Sequence, residues 1–239
     1  MRLYLCRLVF HENLFYATRE AGRLYETGRY LHNYALSYAL GLATAPYFQA
    51  QQVPRYAEEL APANAQGVYA TPARGIDVRF DMVTFKLADN SYRVKMVPGS
   101  RNTPSYGRAK EVAVGSEFEF AVLSATPLRL PRWVRMGLWR SKALVECIGE
   151  AEMKPLARSV QQASLPLNLL DVPGEVLIYD LISMPPSSLL DNAQLDVEWL
   201  RCEVAGQTVL LPRGMAYGLH LGGPGGPAAA PRRQQRLFP

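Results

Sequence analysis

Apolar and polar residues change rhythm several times along this 239-residue chain, and each change predicts an element. Residues 2–10, RLYLCRLVF, are short and dense in aliphatic and aromatic side chains, the pattern of a buried strand. HENLFYATREAGRLYETG holds no steady period and predicts a connector with one or two irregular helical turns. In RYLHNYALSYALGL, Leu31, Tyr34, Ala35, Tyr38, Ala39 and Leu42 recur at spacings of three and four. That stripe predicts a mostly buried helix over 29–41, with Thr27 as N-cap and Gly41 at its end. Prolines and mixed polarity follow over 43–66, with a short helix expected near RYAEELA.

From residue 67 the period becomes two. IDVRFDMVTFKLA (76–88) and SYRVKMV (91–97) flank Asp89-Asn90, a turn signal that predicts a hairpin. GSRNTPSYGRAK (99–110) is rich in Gly, Pro, Ser and Asn and is expected to be a loop. EVAVGSEFEFAVLSA alternates again, placing Phe118, Phe120 and Val122 on one face. WVRMGLW predicts a strand bent at Gly137, and EAEMKPLARSVQQA a helix broken at Pro155. GEVLIYDLIS, AQLDVEWLRCEV and QTVLLP predict strands, the last two turning at Ala205-Gly206. GGPGGPAAAPRRQQRLFP is low in complexity and predicts a disordered basic tail. The order of elements predicts an α+β fold of the split βαβ type with a β-rich C-terminal extension. The expected divisions are a core over 1–149, an extension over 150–221 and a tail over 222–239.

Composition narrows the class. Hydrophobic residues make up 49% and charged residues 20%, a globular balance. Of the net charge of +5, Arg232, Arg233 and Arg236 in the tail carry three, so local clusters matter more than the total. Cys6, Cys147 and Cys202 lie far apart with no CxxC spacing, which argues against zinc or a disulfide framework and fits a reducing cytoplasm. The first fifteen residues are interrupted by Arg7, His11 and Glu12 and do not form a signal-peptide core. No stretch approaches eighteen apolar residues, so no membrane span is expected. No Gly-rich phosphate loop opens a helix after a strand, which excludes Rossmann and P-loop motifs.

Three segments carry candidate chemistry. PRWVRMGLWRSKA (131–143) holds Arg132, Trp133, Arg135, Trp139, Arg140 and Lys142 without an acid. Guanidinium groups grip phosphate and stack on bases, and tryptophans stack regardless of sequence, so the set points to single-stranded RNA. The competing reading puts both tryptophans in the core. In SYRVKMVPGSRNTPSYGRAKEV (91–112), Arg93, Lys95, Arg101, Arg108 and Lys110 face only Glu111, with Tyr92 and Tyr106 interleaved. Such a loop can follow a nucleic-acid backbone, or it is an ordinary solvent-facing tip. In 19–42, Arg19, Arg23 and Arg29 alternate with Glu20 and Glu26, and His32 and Asn33 sit together near the N-terminal end of the expected helix. Either they favour phosphate there, or they are a satisfied structural pair.

An enzyme is not favoured. Metal-independent RNA cleavage needs positioned acid–base groups, most often His, and His11, His32 and His220 show no pairing by spacing. There is no G-x-S-x-G elbow and no HExxH. Neither cofactor nor metal is expected.

Three stretches, GRLYETGRYLHNYALSYALGL, NTPSYGRAKEVAVGSEFEF and LPRWVRMGLWRSKALVE, together resemble the RAMP-type subunit that caps the 5′ handle of CRISPR RNA (crRNA) in the type I-D surveillance complex, Cascade. The resemblance is sharp over residues 19–146 and looser over 150–221. It implies an RRM-like (ferredoxin-like) core with a projecting thumb, here 91–112. It implies partners too: the crRNA handle, a repeated backbone subunit, the large subunit and nearby target DNA, with no homo-oligomer. The RNA-binding residues it implies are Arg19, Arg23, His32, Asn33, Arg101, Tyr106, Arg108, Lys110, Arg135, Gly137, Arg140, Ser141 and Lys142. Precursor processing is expected to fall to a separate endonuclease; a metal-independent crRNA-processing ribonuclease is the alternative.

Overall fold

The computed structural model describes residues 1–45, 54–86 and 106–219. The run of apolar residues at the start forms β1 (Arg2–Phe10), followed by β2 (Arg19–Ala21), β3 (Leu24–Glu26) and β4 (Tyr30–Leu31). Helices α1 (Asn33–Ala39), α2 (Tyr56–Glu59) and α3 (Ala61–Ala65) lead to β5 (Val68–Ala70), β6 (Ala73–Asp77) and β7 (Phe80–Lys86). After β8 (Tyr106–Val112), β9 (Glu117–Ser124) and β10 (Trp133–Met136) comes the long β11 (Ser141–Glu152). The C-terminal part is β12 (Lys154–Gln162), β13 (Leu167–Asn168), β14 (Val176–Ile182), β15 (Leu189–Val204) and β16 (Gln207–Pro212). The α+β expectation is thereby corrected: the chain is mostly β-sheet with few, short helices.

The first sheet runs β10-β11-β1-β9-β6-β4, and its pairings are antiparallel. β5 and β6 share one edge of β9, β5 against Val122–Ser124 and β6 against the Glu117 end. Leu3, Tyr4, Leu5 and Cys6 of β1 are all buried, as are Phe118, Phe120, Ala121, Val122 and Leu123 of β9. Both strands are therefore covered on both faces, which is why β1 shows a continuous apolar run instead of alternation.

The second sheet is organised by β15. β12 and β16 both pair with Trp199–Arg201, so they occupy opposite edges, and β13 and β14 are opposed in the same way at Leu189 and Leu190. Ala205 and Gly206 both take positive φ, 49° and 78°, and close the β15–β16 hairpin with the two-residue turn expected there. Trp199 is fully buried and donates from Nε1 to the Ser159 carbonyl at 2.8 Å. At Gly149 in β11 a Cβ would stand 2.5 Å from Val204 Cγ2, so that glycine lets β15 close against the first sheet. A third sheet, β2-β3-β8-β7, contains one parallel pair, β3 with β8.

Several expectations change. The helix expected over 29–41 shrinks to α1 because Tyr30 and Leu31 are already paired with Arg74 and Ala73 of β6. His32, not Thr27, is its N-cap, accepting from Tyr34 N at 3.1 Å; Thr27 is buried and exchanges bonds with the Tyr16 backbone. Gly41 does end the helix, at φ 75°. The connector over 11–28 contains the β2–β3 hairpin. Residues 106–110, expected in a loop, belong to β8, whose hidden alternation buries Gly107, Ala109 and Glu111 and turns Arg108 outward. The helix expected around Pro155 is instead the end of β11 and then β12; its proline sits on an edge strand, where a missing N–H is tolerated. The strand expected over 91–97 and the basic tail lie outside the described residues.

A polar cluster is sealed where the first and second sheets meet. The Asp171 carboxylate has no solvent exposure. It accepts from Tyr34 Oη at 2.8 Å and Gly218 N at 2.7 Å on one oxygen, and from Asn33 Nδ2 at 2.7 Å and Tyr69 Oη at 3.1 Å on the other. Removing it takes an acceptor from four donors, three of them on buried residues, each loss being costly. Asp171→Ala is expected to lower stability by about 3 kcal/mol, measured as a fall in the urea midpoint with an unchanged slope.

Candidate nucleic-acid interface

The segment leaving β1, residues 11–18, is stitched on both sides. Leu14 and Val112 of β8 exchange backbone bonds, each 2.9 Å. On the other side Leu138 N donates to the Phe15 carbonyl at 2.8 Å, and His11 N to the Lys142 carbonyl at 2.9 Å. The connector thus joins the third sheet to the β10–β11 hairpin and gathers basic residues from three distant parts of the sequence.

On the third sheet, Arg23 closes the β2–β3 turn and its carbonyl accepts from Arg108 N at 2.8 Å. Arg19, Arg23 and Arg108 are exposed. Lys110 lies 4.2 Å from the centre of the Phe80 ring and 3.9 Å from Glu26 Oε1. Arg19 and Arg23 are therefore brought beside Arg108 and Lys110, which the sequence separates by more than eighty residues. Tyr106 opens β8 opposite Lys86; Arg101 and most of the expected thumb lie outside the described residues.

On the hairpin, alternation turns Val134 and Met136 inward and leaves Trp133 and Arg135 outward. Trp133 is 42% exposed and Trp139 57%, so neither belongs to the core. Lys142 Nζ stands 4.1 Å from the centre of the Trp133 ring, and His11 meets that ring edge-on at 5.1 Å. Trp139 stacks on Phe15 with ring centres 5.9 Å apart, and its indole N–H donates to Glu111 Oε1 at 3.2 Å. Both indoles are held in place yet remain well exposed. Arg135 and Lys142 are cross-strand partners, two like charges kept together by Glu12. Glu12 Oε2 lies 3.6 Å from Arg135 Nη1 and accepts from Lys142 N at 2.9 Å. Arg135 also donates to the Arg140 carbonyl at 3.0 Å.

Four other expected residues have internal work. Gly137, at φ 73°, permits a close approach, but to the chain itself: a Cβ would lie 2.7 Å from the Phe15 carbonyl oxygen. Ser141 is buried and donates to the Asn13 carbonyl at 2.6 Å. His32 and Asn33 are buried as well. His32 Nε2 lies 2.9 Å from Ser187 Oγ, and Asn33 joins Asp171, Tyr69 and Asn168. Beside them a cleft of about 450 Å³ opens between α1, Tyr16, Gly137 and the Met184–Pro186 segment. The hydroxyls of Tyr16, Tyr34 and Tyr38 on its wall are already donated to Tyr30 O, Asp171 and Glu59. Sequence reasoning missed the supports Glu12, Asn13, Phe15 and Glu111. Their signal was thin, a polar His-Glu-Asn triplet directly after an apolar strand.

Among the described residues no group of His, Cys, Asp and Glu is arranged to hold a metal ion, and no helix is long and apolar enough to cross a membrane.

Comparison with known families places the chain among the CRISPR-associated proteins. The family model described as type I-D CRISPR-associated protein Cas5/Csc1 matches residues 1–220. The chain belongs to that family, and the resemblance read from its three sequence stretches is borne out. No curated protein sequence matches it. Among solved structures it is similar to a chain of the type III-B Cmr-beta complex bound to cognate target RNA and AMPPnP, at 10% identity over 86% of each chain and a TM-score of 0.41.

Burial lowers the His32 pKa from 6.5 to about 4. Between those values the unfolded chain binds a proton that the folded chain refuses, so stability falls as pH drops through the window. Over the whole window the loss is about 3 kcal/mol. His32→Asn keeps an N-cap acceptor and is expected to flatten the dependence between pH 6.5 and 4, measured by denaturant titration at each pH.

Proposed function

We propose that this chain is a non-catalytic crRNA-binding subunit of a type I-D CRISPR effector complex. In this reading it caps the 5′ handle of the guide and bridges the first backbone subunit to the large subunit, close to where target DNA enters. It acts as one cytoplasmic copy per complex and not as a homo-oligomer. Family membership supports the assembly. The observation that carries the site is the convergence of Arg19, Arg23, Arg108 and Lys110 with Arg135, Arg140 and Lys142 across the 11–18 connector. Phosphates of a single strand would run along that surface, while the exposed indoles of Trp133 and Trp139 would offer contacts for bases turned outward.

The first sheet supports an RRM-like core. Its β11, β1, β9 and β5/β6 follow the 4-1-3-2 antiparallel order of a βαββαβ unit, with α1 in the first crossover. Residues 125–132, in the second crossover, carry no helix. The processing-ribonuclease reading is weaker because His32, its natural general base, is buried with both ring nitrogens engaged.

The test is salt dependence. Neutralising Arg108, Lys110, Arg135 and Lys142 to Gln is expected to weaken binding of a handle-sequence RNA and to reduce the slope of log K against log salt by about 3. The thermal transition should not move. An unchanged slope would remove these four residues from the phosphate contacts. Cleavage of precursor RNA by the purified chain in EDTA, lost in His32→Ala, would instead establish the ribonuclease.

A further inference from the structure

One stretch of the C-terminal part has a different chemistry. From Ser159 to Leu200 the chain contains no lysine or arginine, but it does contain Asp171, Glu175, Asp180, Asp191, Asp196 and Glu198. Within that stretch β14 reads VLIYDLI. Leu177, Ile178, Tyr179 and Leu181 are 46%, 61%, 45% and 55% exposed, so both faces of the strand are open. Among the described residues β14 pairs only with β15, which leaves its outer row of N–H and C=O groups without a strand partner. Edge strands are normally blunted by lysine, proline, bulges or a covering element; β14 has no lysine or proline, and its register with β15 is irregular only between Val176 and Asp180, running regularly from Asp180 to Ile182. Its one charged residue, Asp180, accepts from Asn192 at 2.7 Å.

We infer that the outer edge of β14 is a docking site for an extended apolar segment of another protein subunit, one flanked by lysine or arginine, added to the sheet as a further strand. This rests on reading the chain as part of a larger assembly. Three observations select that occupant. RNA is disfavoured because Glu175 and Asp180 are exposed here, while three arginines on or beside this sheet are engaged: Arg158 with Asp196, Arg213 with Glu198 and Arg74 with Asp191. A second copy is disfavoured because antiparallel self-pairing would gather both copies' Glu175 and Asp180 at one seam without a cation. Four half-exposed side chains also supply well under the roughly 800 Å² per partner of a standard interface, which suits a contact reinforced elsewhere in a complex. Main-chain bonds would give affinity, and the alternating Ile178 and Tyr179 sides would give specificity.

The test uses the full chain and the other purified protein subunits of its type I-D complex, each offered alone. One of them is expected to bind wild type, and Ile178→Ser/Leu181→Ser and Asp180→Lys are each expected to weaken that binding at least tenfold. Val160→Ser, on the opposite edge of the sheet, should leave it unchanged. Handle-RNA affinity and the melting temperature should match wild type throughout; should the double variant melt early, Tyr179→Ser replaces it. Undiminished capture by these variants, or no capture by wild type, overturns the proposal. So does a wild-type dimer that the variants dissolve, which assigns the edge to a second copy, or a loss of RNA affinity, which assigns it to nucleic acid. If subunit capture depends on β14 while wild type binds no RNA, the docking edge stands and the RNA-capping role fails.

Discussion

One buried carboxylate governs how the two larger sheets meet. Asp171 reaches from the C-terminal extension into the N-terminal part of the chain and satisfies donors on α1, β5 and the segment near Gly218. Desolvation raises its pKa, while the four bonds oppose that shift by favouring the charged form. Because every donor is directional, the cluster tolerates one packing of α1 and β5 against the extension. Hydrophobic contact alone would permit several. His32 and Asn33, at the start of α1, are consumed in that joint and are thereby removed from any surface role.

With the joint fixed, charge is divided across the molecule. Cations cluster where the third sheet, the connector and the β10–β11 hairpin meet, and the stretch from Ser159 to Leu200, which includes β14, carries acids and no lysine or arginine of its own. The basic side is not simply positive. Glu12, Glu26 and Glu111 are set among the cations as positioning groups, and each acid costs some attraction for phosphate while holding a neighbour in a defined place. The net charge of +5 conceals this arrangement.

Much of the architecture was legible in the sequence where the local pattern and the tertiary environment agree. The β1 run, the β9 alternation, the Ala205-Gly206 turn and the Gly41 helix end required no distant partner. β8 was missed because glycine and charges mask its alternation, and its pairing with β3 comes from far away in the chain. The helix expected around Pro155 failed because β15 offers a ladder that overrides local propensity. At the site, the basic set of the hairpin was legible because it is contiguous. The indole exposure was not, because a tryptophan's neighbours are set by which strand face turns outward. Gly137 stood out in the sequence as a bend, yet only the fold reveals that Phe15 packs against it.

The parallel pairing of β3 with β8 has a consequence for how this protein is made. Leu24 cannot meet Arg108 until the ribosome has released the chain past residue 112, so the cationic sheet waits on a partner more than eighty residues away, yet it can close before β12 to β16 are made. Its basic residues can therefore come together while the C-terminal extension is still being synthesised, so assembly of this surface does not wait for the joint at Asp171.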